Sequence, residues 1–368
     1  MTPASSSEAR RYAKIRYRLM LLELIAWPGF LLAYQLSGFS TSVAARASAA
    51  TPAPLLQLLG YLAVFGAASY LVFLPLHVYA GFFLEHRFGL SRLRGSGWCL
   101  REAKGVALSA GFGLLMMEGL YALLRDAPQA WTALAALGWV GVSVVVARIF
   151  PTWVLPIFYK TSSLSDEALA SRLLALCERA RLRVLGVFRV DLGVETRKAN
   201  AALAGVGRTR RVLVSDTLLG QFTPEEIETV LAHELGHQRH QHISKMLLLS
   251  GLGSWVAFTV VDRCAGWWTG RLGVAGLADP AGFPMLMLSL FLIGLVGLPL
   301  QNALSRRFEW QADRFAVALT GRPAAFAGAL RKLGELNLAD PAPPRWIEWL
   351  FYDHPAIPRR IRAAEATG

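Results

Sequence analysis

The sequence predicts a mainly α-helical membrane protein, with about six transmembrane helices carrying a polar α+β part that contains a small β-sheet. Three observations predict it. Of 368 residues 54% are hydrophobic, more than an ordinary soluble domain carries. Six apolar runs, at about 19–38, 55–83, 105–124, 131–158, 246–262 and 282–301, are close to or beyond the ~20 residues a helix needs to cross a bilayer. Two polar stretches, 159–245 and 302–368, leave room for chemistry in water. The chain therefore divides into an N-terminal membrane region with four spans (1–158), a polar segment (159–245), a two-span hairpin (246–301) and a second polar segment (302–368).

The longest runs, 55–83 and 131–158, should tilt or extend past the bilayer. The net charge of +13 follows the same topology. Arg10, Arg11, Lys14, Arg16 and Arg18 precede the first run, and Arg87, Arg92, Arg94, Arg101 and Lys104 lie between the second and third. The intervening loops carry only Arg46, then Arg125, then Arg263 and Arg271. This is the positive-inside pattern with both termini in the cytosol, and it makes the cations topology signals and lipid partners, with no nucleic acid. Ala45-Arg-Ala-Ser-Ala49 has the look of a cleavage site, but the run before it is long for a signal peptide, which favours an uncleaved anchor. Cys99, Cys177 and Cys264 are far apart and read as reduced packing residues.

Between the fourth and fifth runs, 165–181 starts with Ser and two acids and has helical apolar spacing. Val184–Val190 and Leu203–Val214 carry β-branched clusters around the turn Gly205-Val-Gly-Arg-Thr-Arg, a small sheet with a hairpin. Thr223-Pro-Glu-Glu226 supplies an N-cap, a first-turn proline and a capping-box glutamate, so a helix starts at 224. After the sixth run, Leu304–Leu319 should be a helix stopped by Gly321 and Pro323. A further helix follows at 324–336, then an aromatic turn from Trp346 to Tyr352 and a short final helix. The Ala/Ser/Pro stretch 43–54 reads as a loop.

Four of the seven histidines fall in the ten residues from His233 to His242. His233-Glu234-Leu-Gly-His237 places two imidazoles one helical turn apart on one face, so both can reach one metal ion. Glu234 stands beside them as a base for the attacking water. A catalytic zinc wants a third protein ligand. Two crossings return the chain to the same side, which places Ser305-Arg-Arg-Phe-Glu-Trp-Gln-Ala-Asp313 opposite the histidines. Glu309 and Asp313 are again one turn apart, so one carboxylate can bind metal while the other orients an imidazole.

HELGH with His242 five residues on, then SRRFEWQAD after a two-span hairpin, resembles the type I CAAX prenyl protease family of integral-membrane zinc endopeptidases, related to the heat-shock protease HtpX. Glu85-His-Arg-Phe-Gly, Asn200-Ala-Ala-Leu-Ala-Gly205, Val212-Leu-Val-Ser-Asp-Thr-Leu-Leu219 and Asp353-His-Pro carry the resemblance in order, over roughly 80 to 364. The resemblance implies a zincin-like catalytic part in the cytosol with one Zn2+, held by His233, His237 and Glu309, and Glu234 as general base. Asp313 and His242 would support the ligands, and His354 and Arg360 would stabilise the oxyanion. Asn200, Ala201, Ala202, Leu203, Ala204 and Gly205 would form the edge on which an extended peptide lies. The substrate so implied is a peptide or membrane protein, prenylated in the family, and the Ala/Gly/Arg-rich composition points to a bacterial inner membrane. Removal of damaged membrane proteins, as by HtpX, is the alternative job, and a non-catalytic zinc sensor is a third. The eukaryotic members have seven spans around a chamber; six are counted here. His240 has no counterpart in the pattern. Glu23, His77, Glu118 and Arg148 lie inside spans, where they either line a water-filled space or pair internally.

Overall fold

The computed structural model describes residues 3–205 and 207–366. Val206 in the expected turn, and the first two and last two residues of the terminal segments, lie outside the described residues. Among the described residues six helices are long and apolar enough to cross a membrane: Ser6–Leu36, Pro54–Arg87, Gly95–Asp126, Trp131–Phe158, His242–Leu272 and Pro280–Thr320, called spans one to six. Span four coincides with its expected run, and span one starts before its run and ends at Leu36, two residues short of it. Spans two, three, five and six contain the expected runs and extend beyond them, because polar helix formers continue the backbone hydrogen bonding past the apolar stretch.

Span six shows this most clearly. Phe283–Thr320 is one helix of 38 residues, so the separate helix expected at 304–319 is its continuation. No breaker intervenes between Leu300 and Gly321, and the helix stops there because Gly321 turns left-handed (φ 66°), its N–H bonding Val317 O. The loop expected at 43–54 is also corrected. Phe39–Ala50 is a short helix, as its alanines favour, pinned by buried Ser40, whose Oγ meets Tyr61 OH and Ala281 O, both at 2.7 Å. The aromatic turn at 346–352 is a helix too, Arg345–Phe351.

The spans pack at their two ends. At the end far from the polar part, Leu31, Tyr34, Leu58, Tyr61, Tyr121, Trp131, Trp268 and Phe283 belong to one buried cluster that draws on all six spans and the short helix. At the other end, Ala9, Tyr12, Leu84, Phe88 and Leu90 close against Leu338. Between them, no residue of 14–30, 66–83, 101–120, 137–150, 243–260 or 289–301 is buried. The helices are splayed in mid-membrane rather than packed into a bundle core.

The polar part has a four-stranded sheet: β1 (Thr161–Ser163), β2 (Val187–Val190), β3 (Ala201–Ala204) and β4 (Arg211–Ser215), in the order β1-β2-β4-β3. β3 and β4 form the expected hairpin, in register Ala201↔Val214 to Ala204↔Arg211. β2 runs parallel to β4, and β1 is a strand not expected from its polar sequence. Gly205 is required at the turn: its φ is 92°, and a Cβ there would stand 2.5 Å from Thr209 O. Helices Glu167–Arg179, Pro224–Arg239 and Pro323–Leu336 cover the sheet with a shared apolar core that includes Leu173, Val212, Leu231, Leu235 and Phe326.

Candidate metal centre

The helix Pro224–Arg239 is built as its sequence dictates. Thr223 Oγ1 accepts from Glu226 N at 3.3 Å, and Glu226 Oε2 accepts from Thr223 N at 2.8 Å, the reciprocal capping box. Gly236 then lets this helix approach span six. A Cβ on Gly236 would lie 3.0 Å from Ala312 Cα and 3.2 Å from Phe315 Cδ1, so glycine here and alanine there set the crossing point. That crossing places His233 and His237 against Glu309. The helix ends at His240, where Gln241 is left-handed (φ 56°), a conformation costing a non-glycine residue roughly 1–2 kcal/mol. The bend starts span five at His242 and folds that imidazole back onto His237.

His233, His237 and Glu309 each offer one atom to a common point, all within 4.8 Å of one another. The two Nε2 atoms are 3.1 Å apart, Glu309 Oε1 is 3.1 Å from His237 Nε2, and Oε2 is 3.4 Å from His233 Nε2. The tautomers follow from the outer contacts. His233 Nδ1 donates to Asp313 Oδ1 at 2.9 Å, leaving its Nε2 lone pair free. Gln311 Oε1 accepts from His242 Nε2 at 2.9 Å, so His242 Nδ1 is an acceptor. It faces His237 Nδ1 at 3.0 Å, which must therefore carry the proton and leave Nε2 free. Phe308 stacks on His242 with ring centroids 4.2 Å apart and keeps it in place. Two lone pairs and a carboxylate thus converge.

The pocket wants a positive charge. Burial alone would depress the His233 imidazole, yet the Asp313 and Glu309 carboxylates override it and raise it to about 9. Glu309 is 3% exposed, and its Oε2 has no hydrogen-bond partner, an orphan that a metal ion would satisfy. Two imidazoles and a carboxylate are also a usual donor set for a catalytic zinc, so the residues fit the ion.

The remaining expected residues gather here as well. Glu234 is half-buried beside His233, with no hydrogen bond or ion pair among the described residues. Arg360 is buried and bidentate on Asp313 (2.8 and 2.6 Å), with Nη1 3.5 Å from Glu309 Oε2. His354 is exposed, its Nε2 3.3 Å from Glu309 Oε1 and its Nδ1 2.7 Å from Asp353 Oδ1. That carboxylate raises the His354 pKa above its ordinary value. β3 is an edge strand, with one side open and Asn200 exposed at its start. His240 stands apart, exposed, between His242 and Phe315. Sequence reasoning gave no role to Gln311 and Asp353, though both stand in the quoted motifs, and missed Glu348. Glu348 is buried, accepts from Ala356 N at 3.1 Å and fixes the loop that carries His354.

Comparison with known proteins places the geometry. The model of peptidase family M48 matches residues 163–367, and that of the CAAX prenyl protease N-terminal region, described as five membrane helices, matches residues 1–160. Four spans and the short helix Phe39–Ala50 occupy that region here. An uncharacterized metalloprotease of Bacillus subtilis, YhfN, is 26% identical over 99% of this chain and 86% of its own. CAAX prenyl protease 1 of Saccharomyces cerevisiae is 26% identical over 84% of this chain and 72% of its own. The crystal structure of S. mikatae Ste24p superposes with a TM-score of 0.87 at 23% identity, over 99% of this chain and 90% of the other, which shows a shared fold.

Proposed function

The chain belongs to peptidase family M48, and on that premise we propose that it is a zinc-dependent endopeptidase of the membrane acting on peptides like those of CAAX processing. The observation that carries the zinc reading is the convergence of His233 Nε2, His237 Nε2 and the Glu309 carboxylate, whose Oε2 is orphaned. When bound, the ion would polarise the scissile carbonyl and acidify water.

The chain's own residues supply the rest. The Glu234 carboxylate takes a proton from the attacking water and returns it to the leaving amine nitrogen as the C–N bond breaks. His354, whose protonated form Asp353 favours, donates Nε2–H to the developing oxyanion. Arg360 has Nε and Nη2 committed to Asp313, so it acts by fixing that carboxylate and, through it, the His233 tautomer. The open edge of β3, with Asn200 and Gly205 at its ends, holds the peptide extended by main-chain bonds. The catalytic part comprises 159–245 and 302–368, joined by the hairpin 246–301, on the cytosolic side of a bacterial inner membrane. By likeness to CAAX prenyl protease 1, the bond cleaved lies after a prenylated cysteine.

The test is metal content of the purified protein together with cleavage of a farnesylated CAAX peptide, for wild type and Glu234→Gln. One zinc per chain is expected in both, with cleavage lost about 10²–10⁴-fold in the variant. Zinc with no cleavage by wild type would redirect the reading to other membrane substrates, and absence of zinc would overturn it.

A further inference from the structure

A second polar concavity lies at the membrane boundary, apart from the metal ligands. A groove of about 670 Å³ runs between the helix Arg345–Phe351, the last helix Ile357–Glu365 and the turn at Pro341–Pro343. Arg306, Arg345, Arg359 and Arg362 line it against a single carboxylate, Glu348. That carboxylate is spent, accepting from Arg359 and from Ala356 N. Among the described residues Arg306 donates only to the carbonyls of Glu348 and Tyr352, which carry no net charge. Arg345 and Arg362 have no acidic partner among the described residues. The groove therefore carries an excess of about three positive charges over its own carboxylate.

Its height relative to the bilayer is fixed by two spans. Asn302, where the apolar run of span six gives out, donates Nδ2 to Leu350 O at 2.7 Å. Tyr17, at the polar entry of span one, bonds Tyr352 OH at 2.7 Å and Asp340 Oδ2 at 2.8 Å. The helix Arg345–Phe351 thus lies along the membrane boundary. On its outer face Trp346 and Trp349, three residues apart, are 50% and 60% exposed. Indole rings prefer the headgroup layer, and a guanidinium fork matches a phosphodiester.

We propose that this groove binds the phosphodiester headgroup of an anionic phospholipid, with Trp346 and Trp349 seated beside it in the headgroup layer. A soluble acidic partner would use the arginines and leave the indoles bare. The lipid also braces the catalytic loop, since Glu348 in the groove wall holds Ala356, two residues beyond His354. That second step rests on the endopeptidase reading; the binding does not.

The experiment uses the full chain in detergent and in nanodiscs. Native mass spectrometry measures retention of phosphatidylglycerol by wild type, Arg345→Gln/Arg362→Gln, Trp346→Ala/Trp349→Ala, and an Arg10→Gln/Arg11→Gln control. Loss of the two groove arginines should weaken retention on the order of 30-fold, the indole pair less, and the control little. Equal retention by all four overturns the site. Full displacement by millimolar inorganic phosphate, or a tryptophan variant that binds as wild type, would make the ligand a soluble anion and overturn the lipid. Peptide cleavage in phosphatidylcholine nanodiscs with and without phosphatidylglycerol then reads the coupling. Faster cleavage with the anionic lipid, lost in the arginine variant, supports it. Retention without any change in cleavage leaves the lipid site standing and overturns the bracing of the loop. If no peptide is cleaved at all, the endopeptidase reading fails while the retention series still decides the site.

Discussion

The metal centre and the middle of the membrane hold ionisable side chains in opposite ways. At the centre three imidazoles and Asp313 each have a named partner, His233 on Asp313, His237 on His242, His242 on Gln311 and Asp313 on Arg360, and the unsatisfied Glu309 Oε2 is left for the ion. In mid-membrane Glu23, His77, Glu118 and Arg148 form no ion pair among the described residues; Glu23 and Arg148 are exposed, and the buried Glu118 Oε1 has no hydrogen-bond partner. The first arrangement is preorganised for one cation, with rotamers and tautomers set before it arrives. The second leaves these side chains without an ion pair, which hydrocarbon penalises, and the prediction is that water reaches Glu23 and Arg148. His77 itself lines a cavity of about 710 Å³ with Glu85, Arg101 and Lys198.

The sharpest way to break the comparison is at the outer contacts of the centre. Substituting His242→Phe keeps the stack on Phe308 and removes the acceptor for His237 Nδ1–H. Metal affinity should fall about 10–100-fold, measured by competition with a zinc chelator. Gln311→Leu should act through the same chain, by freeing the His242 tautomer, and a variant with unchanged affinity would show that the outer contacts are ornamental. Gly236→Ala strikes the scaffold instead. Its Cβ meets backbone at Ala312, which has no side chain to swing away, so the two helices must part. Roughly 1–3 kcal/mol of stability should be lost, read as a lower thermal midpoint, with weaker metal binding as the ligands separate.

A smaller effect is expected at Asp353→Asn. The Asp353 carboxylate raises the His354 pKa, so the imidazolium, present below that value, persists to higher pH than an ordinary histidine would. Removing the charge lowers it, and the alkaline limb of kcat/KM should move to lower pH with the acid limb unmoved. A profile that does not shift would remove His354 from the oxyanion role.

Much of this was legible from local signals. The capping box, the i, i+4 histidines and the i, i+4 carboxylates each depend on spacing within one helix, and the apolar runs fixed which side Glu309 returns to. What escaped was what distance along the chain hides. Gln311 is 69 residues from His242, and only the crossing at Gly236 brings them together. β1 is three polar residues whose pairing is decided by β2, not by its own sequence. The helix at Phe39–Ala50 looked like a loop because its small residues carry no periodicity; its reason is Ser40 buried against Tyr61. That the spans meet only at their ends is a property of aromatic clusters drawn from all of them, invisible in any one run.

The smallest effect belongs to the mid-membrane residues, and there the expected null is informative. Glu23 and Arg148 are exposed and hold nothing in place, so Glu23→Gln and Arg148→Gln should change neither metal content nor the thermal midpoint, within about 0.5 kcal/mol. A packing role would instead show as a clear loss of stability. Water access can be read directly. In a Cys99→Ser/Cys264→Ser background, which removes the two exposed thiols and keeps buried Cys177, Glu23→Cys and Arg148→Cys should react with a charged, water-soluble maleimide. Reaction at both positions means the splayed spans enclose an aqueous space continuous with the side of the metal centre. If both thiols stay unreactive in lipid, the two positions face hydrocarbon, and the contrast between a solvated middle and a preorganised centre falls.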